Sequence, residues 1–471
     1  MNNRGRQVLV FVAALAVALS MAGSGRARTL DRRGAVREAL AQNPQIAAAR
    51  AEEAVLAAQQ RQVSAAHWPM VSFTAGIGPA LTAHLVPGTA VQSTETQYTD
   101  FKFSQLSAVF LGDLTIIQPL YTFGKIALRG EAAARGRLAR EAQTRTRRAD
   151  VALEVARTYE GYLLARDFER FFDETIHWLE SELGTTQDKL AKKVANTSER
   201  DILRIQSAIA LATMAVNLAR AGMAQARAGL VAYLGLPGGE RIEVAETELV
   251  PVGRLPGDFD SLLALAKDNR PELIAFKQAH GALDALARAE AAGFKPDVFV
   301  LGFVSAAYTP GRDWIETRYV VDRLNHFIPG LMLGLRWQFQ GGMAQARAQE
   351  QYAHGDVYRH LGEWADDGIP AEVRNAYEDV VRAAKNVDIG NEAVKKAKQW
   401  MVQASADHTI GFADIREVSD AVDAYVALRS AVLKARFDHN VAMATLSKAT
   451  GTLDGDSKIL YLAPTDDGEA K

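Results

Sequence analysis

The chain carries the same series of landmarks twice. Asn43-Pro44 lies 25 residues before Pro69, and Pro271 lies 25 residues before Pro296. Each half then passes through an apolar stretch to a glycine, at Gly124 and at Gly342. Each closes a long heptad on another glycine, at Leu234-Gly235 and Thr450-Gly451. The offsets are 227 at both prolines, 218 at Gly124 and 216 at Gly235, so the halves differ mainly by nine residues between Pro69 and Gly124. Two copies of helix, strands, long helix, long helix predict a tandem duplication.

The N-terminus reads as a secretory signal over residues 1–27, with Arg4 and Arg6 before the 15-residue apolar run Val8 to Ala22. Cleavage is expected after Ala22 or Ala27. The formal charge then falls from −2 to −4 or −5, which is no signature of nucleic-acid binding. There are no cysteines, so disulfides, thiolate metal sites and a lipidated N-terminal cysteine are excluded. No later stretch gives 18 uninterrupted apolar residues, so no transmembrane helix is expected. Such a secreted chain is periplasmic, extracellular or an outer-membrane β-protein.

Residues 31 to 66 have helical periodicity, and Pro69 ends the helix as Pro296 ends its counterpart. After each proline the period changes. Val71, Phe73, Ala75 and Ile77 alternate with Ser72, Thr74, Gly76 and Gly78. Leu331, Leu333, Leu335, Trp337 and Phe339 alternate with Met332, Gly334, Arg336 and Gln338. Period two predicts half-buried strands over Met70 to Gly78 and Leu331 to Phe339, each nine residues long. That length crosses a membrane as a tilted strand. Val298 to Val304 is apolar on both faces, and Ala108 to Ile117 alternates poorly. Polar segments near 79–105 and 309–329 would be hairpin loops. Four strands cannot close a barrel, but several subunits pooling them can.

From Gly124 to about Leu190 there is no proline and little glycine. At ~1.5 Å per residue this predicts roughly 100 Å of helix. An apolar seam follows at three-four spacing: Ile202, Ile205, Ile209, Ala212, Val216, Ala219, Met223, Ala226, Leu230, Tyr233. A shift of 216 reproduces it from Val418 to Ala449, broken only by His439. Such seams pack knobs into holes. Turns are expected near Val194 to Thr197 and Thr409 to Phe412.

Several of these segments resemble the TolC-type outer-membrane efflux family. They are Ala39-Leu40-Ala41-Gln42-Asn43-Pro44, the proline-opened strand, Gln118-Pro119-Leu120-Tyr121-Thr122-Phe123-Gly124-Lys125, and their second copy. Ile410-Gly411-Phe412-Ala413-Asp414-Ile415 with Glu417-Val418 resembles that family's hairpin tip, and Leu446 to Gly451 its closing motif. The resemblance implies a mainly α chain with a small β part. Long antiparallel helical hairpins would form a trimeric α-barrel, and four strands per chain would complete a 12-stranded transmembrane β-barrel in outer-membrane lipid. It implies a homotrimeric exit duct in the outer membrane, its helices in the periplasm. A periplasmic adaptor (membrane fusion protein) and an inner-membrane pump or exporter would serve it in efflux or type I secretion. The residues themselves leave a second reading, a periplasmic coiled-coil scaffold or adaptor-like protein without a pore. The implied organisation is a first repeat over 28–235 (strands about 69–119, helices 124–235) and a connecting segment over 236–260. A second repeat follows over 261–451 (strands about 296–339, helices 342–451), then a tail over 452–471. Two departures stand out: the first tip, Val194-Ala195-Asn196, lacks a glycine, and Trp337 stands where the first copy has Pro119.

Glu417 and Asp420 are three apart on one helix face after the second tip. They are candidates for an acidic ring at a periplasmic gate, with Asp201 and Arg204 as their counterparts in the first copy. Ile410, Gly411 and Phe412, with Val194, Ala195 and Asn196, are candidates for adaptor docking. Pro69, Pro119 and Pro296 are read as redirecting the chain where helix meets strand, and Gly124 and Gly342 as relieving crowding there. Trp68, Tyr121, Trp314, Tyr319 and Trp337 are candidates for aromatic girdles. His439 reads most simply as a histidine hydrogen-bonded between helices. No HExxH, Walker A or GxSxG motif is present, so no enzyme, metal site or cofactor is expected.

Overall fold

A computed structural model describes residues 28–82, 103–194, 197–237, 240–253, 258–314, 321–410, 412–453 and 461. The expected signal segment, Ala195, Asn196, Gly411 and Tyr319 lie outside the described residues. The elements are β1 (Arg28–Leu30), α1 (Arg32–Gln42), α2 (Pro44–Ala65), β2 (Met70–Leu81), β3 (Leu106–Tyr121), α3 (Lys125–Ala191), α4 (Glu199–Tyr233) and β4 (Ile242–Val244). They continue as α5 (Phe259–Asn269), α6 (Pro271–Ala291), β5 (Asp297–Tyr308), β6 (His326–Arg336), α7 (Met343–Thr409) and α8 (Ile415–Ala449). The two longest helices, α3 and α7, each have 67 residues, and α4 and α8 each have 35. The shorter helices match in the same way, at 11 residues for α1 and α5 and at 22 and 21 for α2 and α6.

The chain divides into two compact units. One comprises 1–52, 141–275 and 362–471; the other comprises 53–140 and 276–361. In the first, β1 and β4 form a two-stranded parallel sheet. Segment 240–253 lies against α3 and α8: the Leu249 N–H donates to Asp167 Oδ2 at 2.8 Å, and the Val252 N–H to Asn440 Oδ1 at 2.9 Å. In the seam of α8 Val418, Ala421, Val432, His439, Ala442, Leu446 and Ala449 are buried, whereas α4 buries Ile205, Ala212, Val216, Ala219 and Leu230. Leu203, Leu211, Met214 and Leu218 of α4 are exposed. By length and composition α4 is apolar enough to cross a membrane, with mean hydropathy 1.5 over its best window, of which 22% is buried. It differs from the expectation because its average is high, while Thr213 and Asn217 interrupt any continuous apolar run.

The single helix expected over 31–66 is two. Asn43 stops α1 and starts α2: its N–H donates to Ala39 O, and its Oδ1 accepts from the Gln45 N–H at 2.8 Å. Pro44 occupies the first helical position, where no amide hydrogen is needed. The closing glycines explain the pairing of this break with the far end of each repeat. Gly235 has φ 67°, and a Cβ on it would stand 2.7 Å from Gln42 O. Gly451 has φ 72°, and a Cβ there would stand 2.8 Å from the Asn269 carbonyl carbon. Only glycine permits both the left-handed backbone and the close approach.

In the second unit the strands form one antiparallel sheet in the order β2-β3-β5-β6. All four strands differ in extent from the sequence reading. β2 runs on to Leu81 and β3 to Tyr121, while β6 starts at His326 and ends at Arg336, leaving Trp337 and Phe339 outside it. The alternation of Leu331 to Leu335 extends backward through Phe327 and Pro329, which a loop assignment over 309–329 hides.

Candidate channel surfaces

The register of the sheet separates two faces. One carries Val71, Phe73 and Ile77 of β2, Phe110, Leu114 and Ile116 of β3, Val300 and Val304 of β5, and Leu331, Leu333 and Leu335 of β6. It is apolar except for Gln118, whose Nε2 donates to His67 O at 3.0 Å, and the hydroxyl of Tyr308. The other face carries Ser72, Thr74, Asp113, Thr115, Ser305, His326 and Arg336. Thus β3 does alternate; its polar face is diluted by Val109, Leu111 and Ile117. The two-faced greasiness of β5 also has a cause. Phe303 lies opposite Gly330 and Phe299 opposite Gly334, on the polar face. A Cβ on Gly330 would stand 2.2 Å from the Phe303 ring, and on Gly334 2.5 Å from the Phe299 ring. The rings therefore lie flat over glycine backbone instead of standing off the sheet.

The junction residues fall into two kinds. Pro69 and Pro296 immediately precede β2 and β5. Pro119 lies inside β3, at a register shift between Pro119 and Tyr121, so it bulges the strand rather than ending it. In its place in the second copy, Trp337 donates from Nε1 to Phe294 O at 2.8 Å. Gly124 and Gly342 do not relieve crowding. A Cβ on Gly342 would meet nothing within 4 Å, and on Gly124 only Leu128 Cδ1 at 3.7 Å. Both sit at the second of two successive left-handed residues, Phe123-Gly124 (φ 51° and 84°) and Gly341-Gly342 (φ 53° and 89°). The need is conformational: this pair of dihedrals turns the chain from extended backbone into α3 or α7. Trp68, Tyr121 and Trp337 are exposed beside this helix-proximal end of the sheet, and Trp314 is exposed at the other end.

At the hairpin tips, Phe412 is 87% exposed, Ile410 66% and Val194 46%. The first tip replaces the missing glycine with Lys193, at φ 51°. Its turn closes through the Val194 N–H to Lys189 O at 3.0 Å. The second closes over the same span, from the Phe412 N–H to Asp407 O at 2.8 Å. His408 braces it from below: the ring Nδ1 lies 3.0 Å from Ala413 O, and Nε2 3.9 Å from Glu182.

Behind the tips, Leu179, Ile205, Ala404, Ile415, Val418, Ala421 and Val422 form one buried cluster. Glu417 and Asp420 are exposed on α8, the helix whose Val418 and Ala421 are buried. Their proposed counterparts behave differently. Asp201 turns back on its own helix start, accepting from Ser198 N at 2.8 Å and from Ser198 Oγ at 2.9 Å. That is a capping arrangement and leaves Asp201 less free to face a pore. Arg204 is exposed, with no ion pair to a described residue.

A buried polar constellation in the first unit escaped the sequence reading. Glu160 of α3 is fully buried. Its carboxylate receives Arg32 Nε at 2.6 Å, Asn440 Nδ2 at 2.8 Å and the Tyr461 hydroxyl at 2.5 Å. Arg32 also meets Glu246 at 3.2 Å, and Glu246 accepts from the Tyr159 hydroxyl, whose oxygen also lies 2.9 Å from Leu30 O. Burial works to lower the Arg32 pKa, but Glu160, with Tyr461 and Glu246, holds it above the ordinary value. Burial raises the Tyr461 hydroxyl, and Glu160 adds to it.

His439 is buried in α8 with Nδ1 unpartnered among the described residues, and the groups that act on it are the backbone of Val252 and, from α7, Asp388. Burial lowers its pKa from 6.5, against smaller opposing effects of Val252 and Asp388. The folded chain therefore resists protonation more than the unfolded chain. Stability from this site is complete above the unfolded value and is lost as pH falls through it toward the folded value. Thermal unfolding followed between about pH 7.5 and 5.5 should show a falling midpoint, and His439→Gln should flatten that slope.

Comparison with known proteins gives these surfaces a context. Residues 35–236 match the sequence model of the outer membrane efflux protein family. No curated protein matches the chain by sequence. Among solved structures, the fold resembles the open-state outer membrane channel MtrE of Neisseria gonorrhoeae, at TM-score 0.72 and 18% identity, over 91% of this chain and 90% of that one. It resembles CusC at TM-score 0.71 and 18% identity, over 90% and 94%. It resembles VceC of Vibrio cholerae at TM-score 0.67 and 15% identity, over 89% and 96%. MtrE is an outer membrane channel, VceC an outer membrane protein, and CusC forms a transmembrane channel. Over residues 35–236 the chain is thus similar in sequence to the outer membrane efflux proteins, and its fold resembles that of the channels MtrE and CusC.

Proposed function

We propose that this chain is the outer-membrane exit duct of a tripartite efflux or type I secretion system, working as a homotrimer. The observation that carries the reading is the sheet. One face is apolar across all four strands, and its outer strands, β2 and β6, are paired on one side only among the described residues. In lipid, open strand edges leave backbone groups unsatisfied. Three copies joined β2 to β6 make a closed 12-stranded barrel, with the apolar face to lipid and the polar face to the lumen. The exposed apolar face of α4 supports the same assembly, since a neighbouring copy would cover it. A periplasmic scaffold without a pore explains the helical seams but leaves the apolar sheet face without a partner.

The matched helix lengths support a tandem duplication, residues 1–27 the export signal, and the exposed tips a docking site for a periplasmic adaptor below an inner-membrane pump or exporter. The partner pump supplies the energy and passage through the duct is passive. Glu417 and Asp420 form an acidic ring at the periplasmic entrance, with Arg204 in reach of a neighbouring helix.

Fractionation and planar-bilayer recording test the reading together. The protein should partition with the outer membrane, require detergent and give unitary conductance. Converting Glu417 and Asp420 together to alanine should raise that conductance or weaken cation preference. A water-soluble monomer without conductance ends the duct proposal; an active channel indifferent to the double substitution ends only the ring.

A further inference from the structure

The buried alanines and valine of the sheet lie together. Ala80, Val109 and Ala307 are each 6% exposed or less. All three project from the polar face, at the end remote from the long helices. Two described stretches between β5 and β6, Thr309 to Trp314 and Val321 to Asn325, bond to side chains of that face. Ser107 Oγ of the polar face donates to Pro310 O at 2.5 Å, and the ring Nδ1 of His326 lies 3.0 Å from Asp322 O.

An ion pair holds the two stretches together. Arg312 Nε lies 2.5 Å from Asp322 Oδ2, with side chains 19% and 5% exposed, and Nη1 donates to Leu81 O at 3.0 Å across the sheet. Asp322 Oδ1 accepts from the Leu324 N–H at 2.9 Å, and Asn325 Nδ2 donates to Arg312 O at 3.0 Å. A charge pair this shielded keeps its strength where an exposed one would not. These bonds reach from the β5–β6 connection to the end of β2, over the end of β3. The two stretches are thereby tied to one another and to the end of β2.

We infer that these two stretches form a clamped constriction at the outer mouth of the duct, with Arg312 and Asp322 as its latch. The inference rests on the duct reading, in which the polar face lines the lumen. Three inward-turned copies would narrow the exit and limit the size of what leaves, separately from any gate at the periplasmic end.

Planar-bilayer recording of the full-length trimer tests it. Arg312→Gln and Asp322→Asn should each raise unitary conductance above the wild type. The exchange Arg312→Asp with Asp322→Arg should bring it back down. Because the chain has no cysteine, Ala307→Cys reports the cover directly. A charged, membrane-impermeant thiol reagent added outside whole cells should label it slowly with the latch intact and quickly with Arg312→Gln. Conducting trimers whose conductance ignores both latch substitutions overturn the constriction and leave the duct standing. So does fast labelling of Ala307→Cys with the latch intact, even if the latch variants do not fold. Absence of conductance from every form, wild type included, overturns the duct itself.

Discussion

Glu160→Ala should destabilise each copy by about 3–5 kcal/mol, because it strips the counter-charge from a buried arginine. Among the described residues Arg32 would keep its ion pair with Glu246, at 3.2 Å and more exposed than Glu160. Asn440 Nδ2 would keep its 2.9 Å bond to Val250 O, but the Tyr461 hydroxyl would lose its acceptor. An unsatisfied buried donor adds its own cost of about 1–3 kcal/mol. The network joins β1 and α1, α3, the segment after β4, α8 and Tyr461, so the loss should loosen all of them at once. The expected result is a large fall in the urea concentration at which the purified protein unfolds, and less assembled protein in the membrane. Glu160→Gln keeps the shape and most acceptor capacity, so it should fall between. Tyr461→Phe removes one hydroxyl and should cost about 1 kcal/mol. A wild-type urea profile for Glu160→Ala would show that the arginine finds other compensation.

Phe412→Asp should abolish export while leaving assembly intact. The side chain is almost wholly exposed in the chain, so the folded state gives up little when it becomes charged. An adaptor seated on Ile410 and Phe412 would instead have to bury an unpaired carboxylate, which costs several kcal/mol. Export assays should fall to the level of a strain lacking the protein, with trimer yield and bilayer conductance unchanged. Export at the wild-type level would remove the second tip from the docking surface. Val194→Asp at the first tip compares the two hairpins, since that tip is built on Lys193 in a left-handed conformation rather than on glycine.

The elements that could be read along the chain are those whose physics is local. The three-four seam of α4 and α8 and the alternation of β2 and β6 each follow from one helix or strand placing its side chains at a fixed period. The closing glycines could be found by counting, though their reason could not: it is the approach of Gly235 to Gln42 and of Gly451 to Asn269. The crowding expected at Gly124 and Gly342 was a wrong reason for correct positions. A glycine that fills a tight space and one that adopts a left-handed turn look alike in one dimension.

What the residues alone determined was the architecture: two long hairpins, four short strands, and prolines and glycines where one becomes the other. Only the tertiary structure decided which polar groups meet. Glu160 stands 128 residues from Arg32, 280 from Asn440 and 301 from Tyr461, and no periodicity carries over such separations. It likewise decided that Phe299 and Phe303 lie over glycines, and that Arg312 and Asp322 pair between β5 and β6. Backbone periods are set by neighbouring dihedrals, whereas burial, charge pairing and cover are set by whatever the fold brings alongside.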